Sequence, residues 1–149
     1  MCGFVGVIGH EPVARSIILG LHALQHRGQD AAGIGTLDNG ALKIRKDLGL
    51  VSQALADAGE ISGNAGIGHV RYPTSGSSSN REDAQPFFTR RPGILLAHNG
   101  NVTNVPELQR TLRDRGVHVQ SQCDAEPVLL LLSDALARIR SCNHTTEDV

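Results

Sequence analysis

Residues 2–9 read CGFVGVIG: a cysteine directly behind Met1, then glycines at positions 3, 6 and 9 spaced through an apolar run. The stretch 3–9 has the length and composition of a short buried strand. Three glycines weaken a strand, so something must approach its backbone closely. Once Met1 is removed, Cys2 carries a thiol and a free α-amine on one residue. Such an amine has a pKa of about 7.7–8.0, so it is substantially neutral near physiological pH and able to take a proton. The residue then holds its own nucleophile and its own base. A cysteine here also packs as a small hydrophobe. The glycine spacing shifts the balance towards reactivity, because bare backbone leaves room for a substrate beside the first residue.

Working outward, Pro12 opens a helical pattern with Val13, Ile17, Leu21 and Leu24 on one face. The segment QHRGQDAAGIGTL moves from a turn into a strand, Asp38-Asn39-Gly40 is a hairpin signal, and ALKIRK alternates as the return strand. A short helix is expected from Leu50 to Ala58. AGIGHVRY (65–72) reads as a second buried strand, followed by Pro73 and the polar stretch TSGSSSNRED. That stretch suits a flexible linker or an active-site loop equally. GILLAH (93–98) is a compact strand ending at Asn99-Gly100. Asn104 with Glu107 three residues later resembles a capping box; Val105, Leu108 and Leu112 form the helix's apolar face, and Gly116 stops it. A last helix is expected from about Asp124 to Ile139, with a frayed polar tail SCNHTTEDV. There is no internal repeat: residues 1–149 read as one domain of mixed α and β structure.

Composition sets the bounds. The 149 residues carry 14 Lys+Arg against 15 Asp+Glu, a formal charge of −1, with 40% hydrophobic and 19% charged residues. A chain of this size buries about 68–70% of its unfolded surface. Near-zero charge supplies no basic field, and three Phe, one Tyr and no Trp leave little to stack on bases, so nucleic acid is not expected as a partner. Three widely spaced cysteines make neither a disulfide framework nor, without C-x-x-C, a structural zinc site. The N-terminus lacks the basic start of a secretory signal. The longest apolar run, Val128 to Leu132, is far short of the ~20 residues that span a bilayer. A reducing, cytoplasmic setting without membrane contact is the expectation, and the glycosylation-type matches at Asn101 and Asn143 are then accidental.

Three further clusters could carry chemistry. In His98-Asn99-Gly100-Asn101, the Gly100 N–H and the Asn99 amide could form an oxyanion hole; the same dipeptide also makes plain turns. In His69-Val70-Arg71-Tyr72-Pro73-Thr74, Arg71 at a strand end could clamp a carboxylate or sit in a surface ion pair. Asp124 could bind a substrate ammonium or cap the last helix. His22 and His26, four apart, lack a third ligand for a metal. Neither Gly33-x-Gly35 nor Gly66-x-Gly68 extends to a dinucleotide fingerprint, since Asp38 and Arg71 occupy the last position.

Taken together and in this order, CGFVG, LQHRGQDAAGI (24–34), GIGHVRYPTSGSSS (66–79), QPF (85–87) and LAHNGNVTN (96–104) resemble the glutaminase domain of the amidophosphoribosyltransferases, class II glutamine amidotransferases with an N-terminal-nucleophile fold. The motifs cover nearly the whole chain. The related sugar-phosphate amidotransferases share the opening Cys-Gly and the His-Asn-Gly, but favour an aromatic where Gln25-His26-Arg27 has histidine and a Trp where Tyr72 stands. The resemblance implies an α+β fold, a four-layer α/β/β/α sandwich. It implies that Cys2 attacks the glutamine amide to form a thioester, with Asn99 and Gly100 stabilising the oxyanion. Arg71 would hold the substrate carboxylate and Asp124 its ammonium, while Arg27, Gly28 and Thr74 would support and line the site. In the family the released ammonia displaces pyrophosphate from phosphoribosyl pyrophosphate, the committing step of purine synthesis. No cofactor is implied for this domain, and Mg2+ only for the transferase domain; the full-length family implies a homo-oligomer.

The chain departs from the family in two places. Around Asp124 it reads Ser121-Gln122-Cys123-Asp124-Ala125-Glu126, where the family has small hydroxyl residues flanking the aspartate. The family's glutaminase domain also continues beyond residue 149, and nothing here matches a phosphoribosyl-binding strand. The chain is therefore expected to be the N-terminal part of a longer enzyme, incomplete on its C-terminal side, with weak or no coupled activity alone. The rival readings are a non-catalytic fragment or interaction module and a sugar-phosphate amidotransferase. An iron–sulfur cluster is rejected, because Cys123 and Cys142 fall short of four ligands with Cys2 engaged elsewhere.

Overall fold

A computed structural model describes residues 1–72 and 80–144 of the chain, those from 140 onward by backbone alone. Among the described residues, six strands and four α-helices make two sheets with helices outside them. β1 (Gly3–Ile8), β2 (Ala31–Asp38), β3 (Ala41–Leu48) and β4 (Ala65–Arg71) form an antiparallel sheet in the order β1-β4-β2-β3. β5 (Phe87–Arg90) and β6 (Gly93–Leu96) form a two-stranded hairpin sheet. α1 (Ala14–Ala23) and α2 (Val51–Ala54) lie on the large sheet, α4 (Ala125–His144) lies on the small one, and α3 (Val105–Asp114) packs against α4.

Register explains the layering. In the ladder Val5 lies opposite Gly68 and Gly68 opposite Ile34; Gly3 lies opposite Val70 and Val70 opposite Ala32. These residues share one face, which α1 covers through Ala14, Ile17 and Leu21. Ile17, Leu21 and Ile34 are fully buried, each contributing about 1.5–3 kcal/mol of apolar transfer. The opposite face carries Phe4, His69 and Gly33 in one row and Gly6, Ile67 and Gly35 in the next. Here the small sheet packs so closely that a Cβ on Gly33 would lie 2.0 Å from the Gln85 carbonyl oxygen, and one on Gly35 would lie 2.8 Å from Leu95 Cδ2. The glycines of AAGIGTL thus admit a second sheet. Phe87, Cys123, Ala125 and Leu129 form a separate core between that sheet and α4. The order is helix, sheet, sheet, helix, an α+β sandwich of four layers.

Several boundaries differ from the sequence reading. β1 is half-buried rather than buried, with Phe4 and Ile8 exposed on the second face. The helix expected over 50–58 is one turn of α-helix, then a separate 3-10 turn at Ala58–Glu60. β5 was not anticipated: it is four residues long beside a polar stretch, too short for a visible period. β6 ends at Leu96, two residues early, because Gln85 takes over the hydrogen bonds of His98. Asn104 stands at the N-cap of α3 without a side-chain cap bond, so no capping box forms. α4 runs past Ile139 to His144, taking in the first part of the supposed tail. The hairpin turn is as expected, with Asn39 and Gly40 at φ 47° and 82°, the left-handed pair a tight hairpin requires. Among the described residues no helix is long and apolar enough to cross a membrane.

Candidate functional site

Cys2 stands at the mouth of β1, where four distant segments converge. Its Sγ lies 3.4 Å from both the main-chain nitrogen and the carbonyl oxygen of Tyr72, which follows β4 directly. Its carbonyl oxygen accepts from Arg27 Nε at 2.9 Å and from Asn99 Nδ2 at 3.3 Å. The β1–β4 pairing, with Gly3 opposite Val70, brings residue 72 alongside residue 2. Met1 precedes Cys2 here and is largely exposed, so the thiol sits at an open edge.

Arg27 and Gly28 reach the site on the turn after α1. The Gly28 Cβ position would fall 2.7 Å from main-chain atoms of Val70 and Arg71, so only glycine lets the turn lie on the end of β4. Gln25 clamps the turn, donating to the Gly28 carbonyl at 2.6 Å and accepting from the Val51 N–H at 2.8 Å. His26 lies in that turn and its Nδ1 meets the Ala23 carbonyl at 3.1 Å. His22 is on α1, so the two histidines do not share a helix face. Among the described residues no group of three or more His, Cys, Asp or Glu side chains is placed to hold a metal ion.

Asn99 and Gly100 follow β6 and are exposed. Their approach is held by Gln85, whose Oε1 accepts from the His98 N–H at 2.6 Å and whose Nε2 donates to the His98 carbonyl at 3.4 Å. Behind Asn99 stands His69, 1% exposed, its Nε2 at 3.0 Å from Asn99 Oδ1. Burial pushes the His69 imidazole down to about 4, only partly opposed by the Asn99 bond and the His98 main chain. Between pH 6.5 and 4 the unfolded chain therefore binds a proton the folded chain refuses. Stability fully present above pH 6.5 is lost as pH falls towards 4, by about 3 kcal/mol from this residue. Urea unfolding at pH 7 and 4.5, compared with a His69→Gln chain, measures that share.

Arg71 and Asp124 lie deeper. Arg71 is 3% exposed, and its guanidinium stands 3.6 Å from the Asp83 carboxylate, itself fully buried. Asp83 Oδ1 also accepts from the Gln122 N–H at 2.8 Å, so one carboxylate joins the end of β4 to the segment before α4. Asp124, 3% exposed, accepts from the Val102 N–H at 2.7 Å. Glu126 accepts from the N–H groups of Gln120 and Ser121 at 3.1 and 2.6 Å. Asp124 is thus tied to the loop carrying Asn99, and Arg71 to the residue flanking the thiol. Thr74 lies outside the described residues.

Cys123, the departure beside Asp124, is buried, with its Sγ 3.6 Å from Asp124 Oδ1 and from Gln85 Nε2. Burial pushes its thiol up to about 11. At pH 8 its thiolate fraction is on the order of a hundredfold below that of an ordinary cysteine. Native alkylation with iodoacetamide, mapped by peptide mass, should spare Cys123 and modify Cys2.

Sequence reasoning missed the supports. Asp83 and Gln85 lie in or beside a stretch that suits a flexible linker or an active-site loop equally, and NREDAQ has no hydrophobic period to mark its carboxylate as buried. Tyr72 acts through main-chain atoms, which no side-chain pattern reports. The spacing Asn80-x-x-Asp83 was the available signal: Asn80 Oδ1 accepts from the Glu82 N–H at 3.1 Å and starts a turn that carries Asp83 inward.

A sequence profile of the glutamine amidotransferase domain family matches residues 71–147. The amidophosphoribosyltransferase of Pseudomonas aeruginosa is 45% identical over 153 residues, covering 100% of this chain and 30% of the relative. That of Escherichia coli K12 is 49% identical over 145 residues, covering 94% and 28%. The solved glutamine phosphoribosylpyrophosphate amidotransferase from B. subtilis, complexed with ADP and GMP, superposes with a TM-score of 0.73 at 36% identity, covering 85% of this chain and 28% of that one. The chain spans about 30% of the length of the curated relatives it matches.

Proposed function

The chain belongs to the glutamine amidotransferase domain family, and on that premise we propose that it hydrolyses the side-chain amide of glutamine at Cys2 and serves a longer amidophosphoribosyltransferase. The observation that carries this reading is the convergence on Cys2 of Arg27, Tyr72 and Asn99, the last 97 positions away.

Removal of Met1 converts the Cys2 nitrogen from an amide to an amine. The thiol proton passes to that amine and Sγ attacks the glutamine side-chain carbon. A carbon–sulfur bond forms, and the carbonyl electron pair moves onto oxygen. The Asn99 Nδ2–H and the Gly100 N–H receive this oxyanion. As the pair returns, the carbon–nitrogen bond breaks and the ammonium of Cys2 gives its proton to the leaving nitrogen, releasing ammonia. Water then attacks the thioester, yields its proton to the amine, and frees glutamate and the thiol. Arg71 reads the substrate α-carboxylate and Asp124 its α-ammonium. Both are already paired, so substrate binding exchanges or extends those pairs rather than meeting bare charges. Arg27 and Gly28 hold the Cys2 main chain. A thiol nucleophile of this kind suits a reducing cytoplasm. In the full enzyme the ammonia displaces pyrophosphate from phosphoribosyl pyrophosphate at a separate domain.

The test uses the Met1-free chain and a diazoketone analogue of glutamine. Stoichiometric alkylation at Cys2, blocked by glutamine, is the expected outcome. An unmodified Cys2, or modification indifferent to glutamine, overturns the reading.

A further inference from the structure

The Asn99 side chain is exposed, yet one of its two amide faces is dictated from inside the protein. The Cys2 carbonyl oxygen can only accept, and Asn99 lies 3.3 Å from it, so the atom presented there is the Nδ2 donor. The opposite amide atom is then Oδ1, which can only accept, and it faces His69 Nε2 at 3.0 Å. That nitrogen must carry a hydrogen. His69 itself cannot drift: it sits within β4, paired with Phe4 on one side and Gly33 on the other, and is buried. Among the described residues its Nδ1 has no hydrogen-bond partner of normal geometry and Asn99 is its one side-chain partner, while the His98 main chain also stands against the ring and favours its protonated form. The positively charged or titratable groups near the ring are Arg71, two residues along β4, and His98 at the head of the Asn99 loop; both oppose its protonation.

We propose that His69 is a positioning residue which, by donating Nε2–H to Asn99 Oδ1, fixes the Asn99 amide with its NH2 group towards the thiol. The inference rests on the glutaminase reading above and deepens it. An amide free to turn by 180° would present its oxygen to the developing oxyanion for part of the time. The acceptor would repel charge where a donor is needed. Loss of an oxyanion donor lowers kcat by roughly 10²–10³-fold, and a donor present in only part of the population loses somewhat less. The ground-state carboxamide carries little charge on oxygen, so glutamine binding is largely spared.

The test compares His69→Phe, which keeps the volume and removes the donor, with His69→Gln, whose Nε2 can reach the place of the imidazole Nε2. In the Met1-free chain His69→Phe is expected to lower kcat 10- to 100-fold with KM for glutamine changed less than about threefold. Its affinity for glutamate γ-semialdehyde, the aldehyde analogue of glutamine that forms a tetrahedral hemithioacetal with the thiol, should fall by a similar factor. His69→Gln should recover at least half of the logarithmic loss. A kcat unchanged in His69→Phe, a loss residing in KM, or a glutamine variant no better than phenylalanine overturns the proposal. Imidazole 15N shifts in the unmutated chain supply a readout that needs no variant: protonated Nε2 with bare Nδ1 at pH 7 is expected, and the other tautomer overturns it. If the unmutated chain fails to react with the diazoketone, the function reading falls and this inference with it. If only the His69 results fail, the function stands.

Discussion

Replacing Cys2 by alanine is expected to abolish the proposed glutamine hydrolysis, with kcat falling on the order of 10⁴-fold or more, as when a nucleophile is removed from other covalent catalysts. The fold should hardly notice. The Cys2 side chain is half-buried at the start of an edge strand, and among the described residues the hydrogen-bond partners of its Sγ are main-chain atoms of Tyr72. The ladder that positions residue 2 runs through backbone groups of Gly3 to Ile8, and the Cys2 carbonyl that receives Arg27 and Asn99 survives the substitution. Unfolding midpoints should therefore move by less than about 1 kcal/mol. Retention of Met1 should silence the chain just as fully with the thiol intact, because an acylated nitrogen has no basic lone pair to take the thiol proton. Ammonia release measured alongside intact mass separates the cases. Turnover by the alanine chain, or by a population wholly retaining Met1, contradicts the mechanism.

Replacing Asp83 by alanine destabilises the protein by about 3–5 kcal/mol, the range for breaking a buried ion pair from one side. The carboxylate is fully buried, 3.6 Å from the Arg71 guanidinium, and also accepts from the Gln122 N–H at 2.8 Å and from Asn80 Nδ2 at 3.3 Å. Alanine deprives a buried cation of its nearby counter-charge and two donors of their acceptor at once. Because Asp83 joins the strand carrying Arg71 to the segment carrying Asp124, the two ends of the proposed glutamine site should loosen together, raising KM for glutamine. Asp83→Asn keeps the shape and part of the hydrogen bonding, so it should cost less than alanine. Urea unfolding gives the stability change, and glutamine kinetics at a temperature where both chains remain folded gives the rest. A loss below about 1 kcal/mol would show that Arg71 and the Gln122 segment do not depend on this carboxylate.

The elements most legible beforehand were those with a period or a punctuating turn. Val13, Ile17 and Leu21 announced α1 by helical spacing, and Asp38-Asn39-Gly40 announced the β2–β3 hairpin by turn chemistry. Cys2 and the Asn99-Gly100 pair stood out as candidates because the chemistry proposed for them accepts few residue types in few places, and the structure brings Cys2 and Asn99 within hydrogen-bond reach. Gln85, Asp83 and His69 were not assigned parts in the site, for one shared reason. Each is a polar residue whose meaning depends on being buried, and burial here is imposed by a sheet or helix far away in sequence: Asn99 covers His69, the Gln122 segment covers Asp83, and the His98 main chain takes up Gln85.

What the amino-acid order determines alone is local and chemical: a cysteine that carries its own base once Met1 is gone, an arginine and an aspartate whose charges could match those of an amino acid, and glycines that leave the backbone beside Cys2 bare. The tertiary structure decides which backbone carbonyl faces which amide. Whether Asn99 presents its donor or its acceptor to Cys2 turns on a histidine 30 positions earlier. Sequence spacing carries no trace of that choice, because the orientation of an amide costs nothing until two fixed neighbours, one accepting and one donating, stand on either side of it.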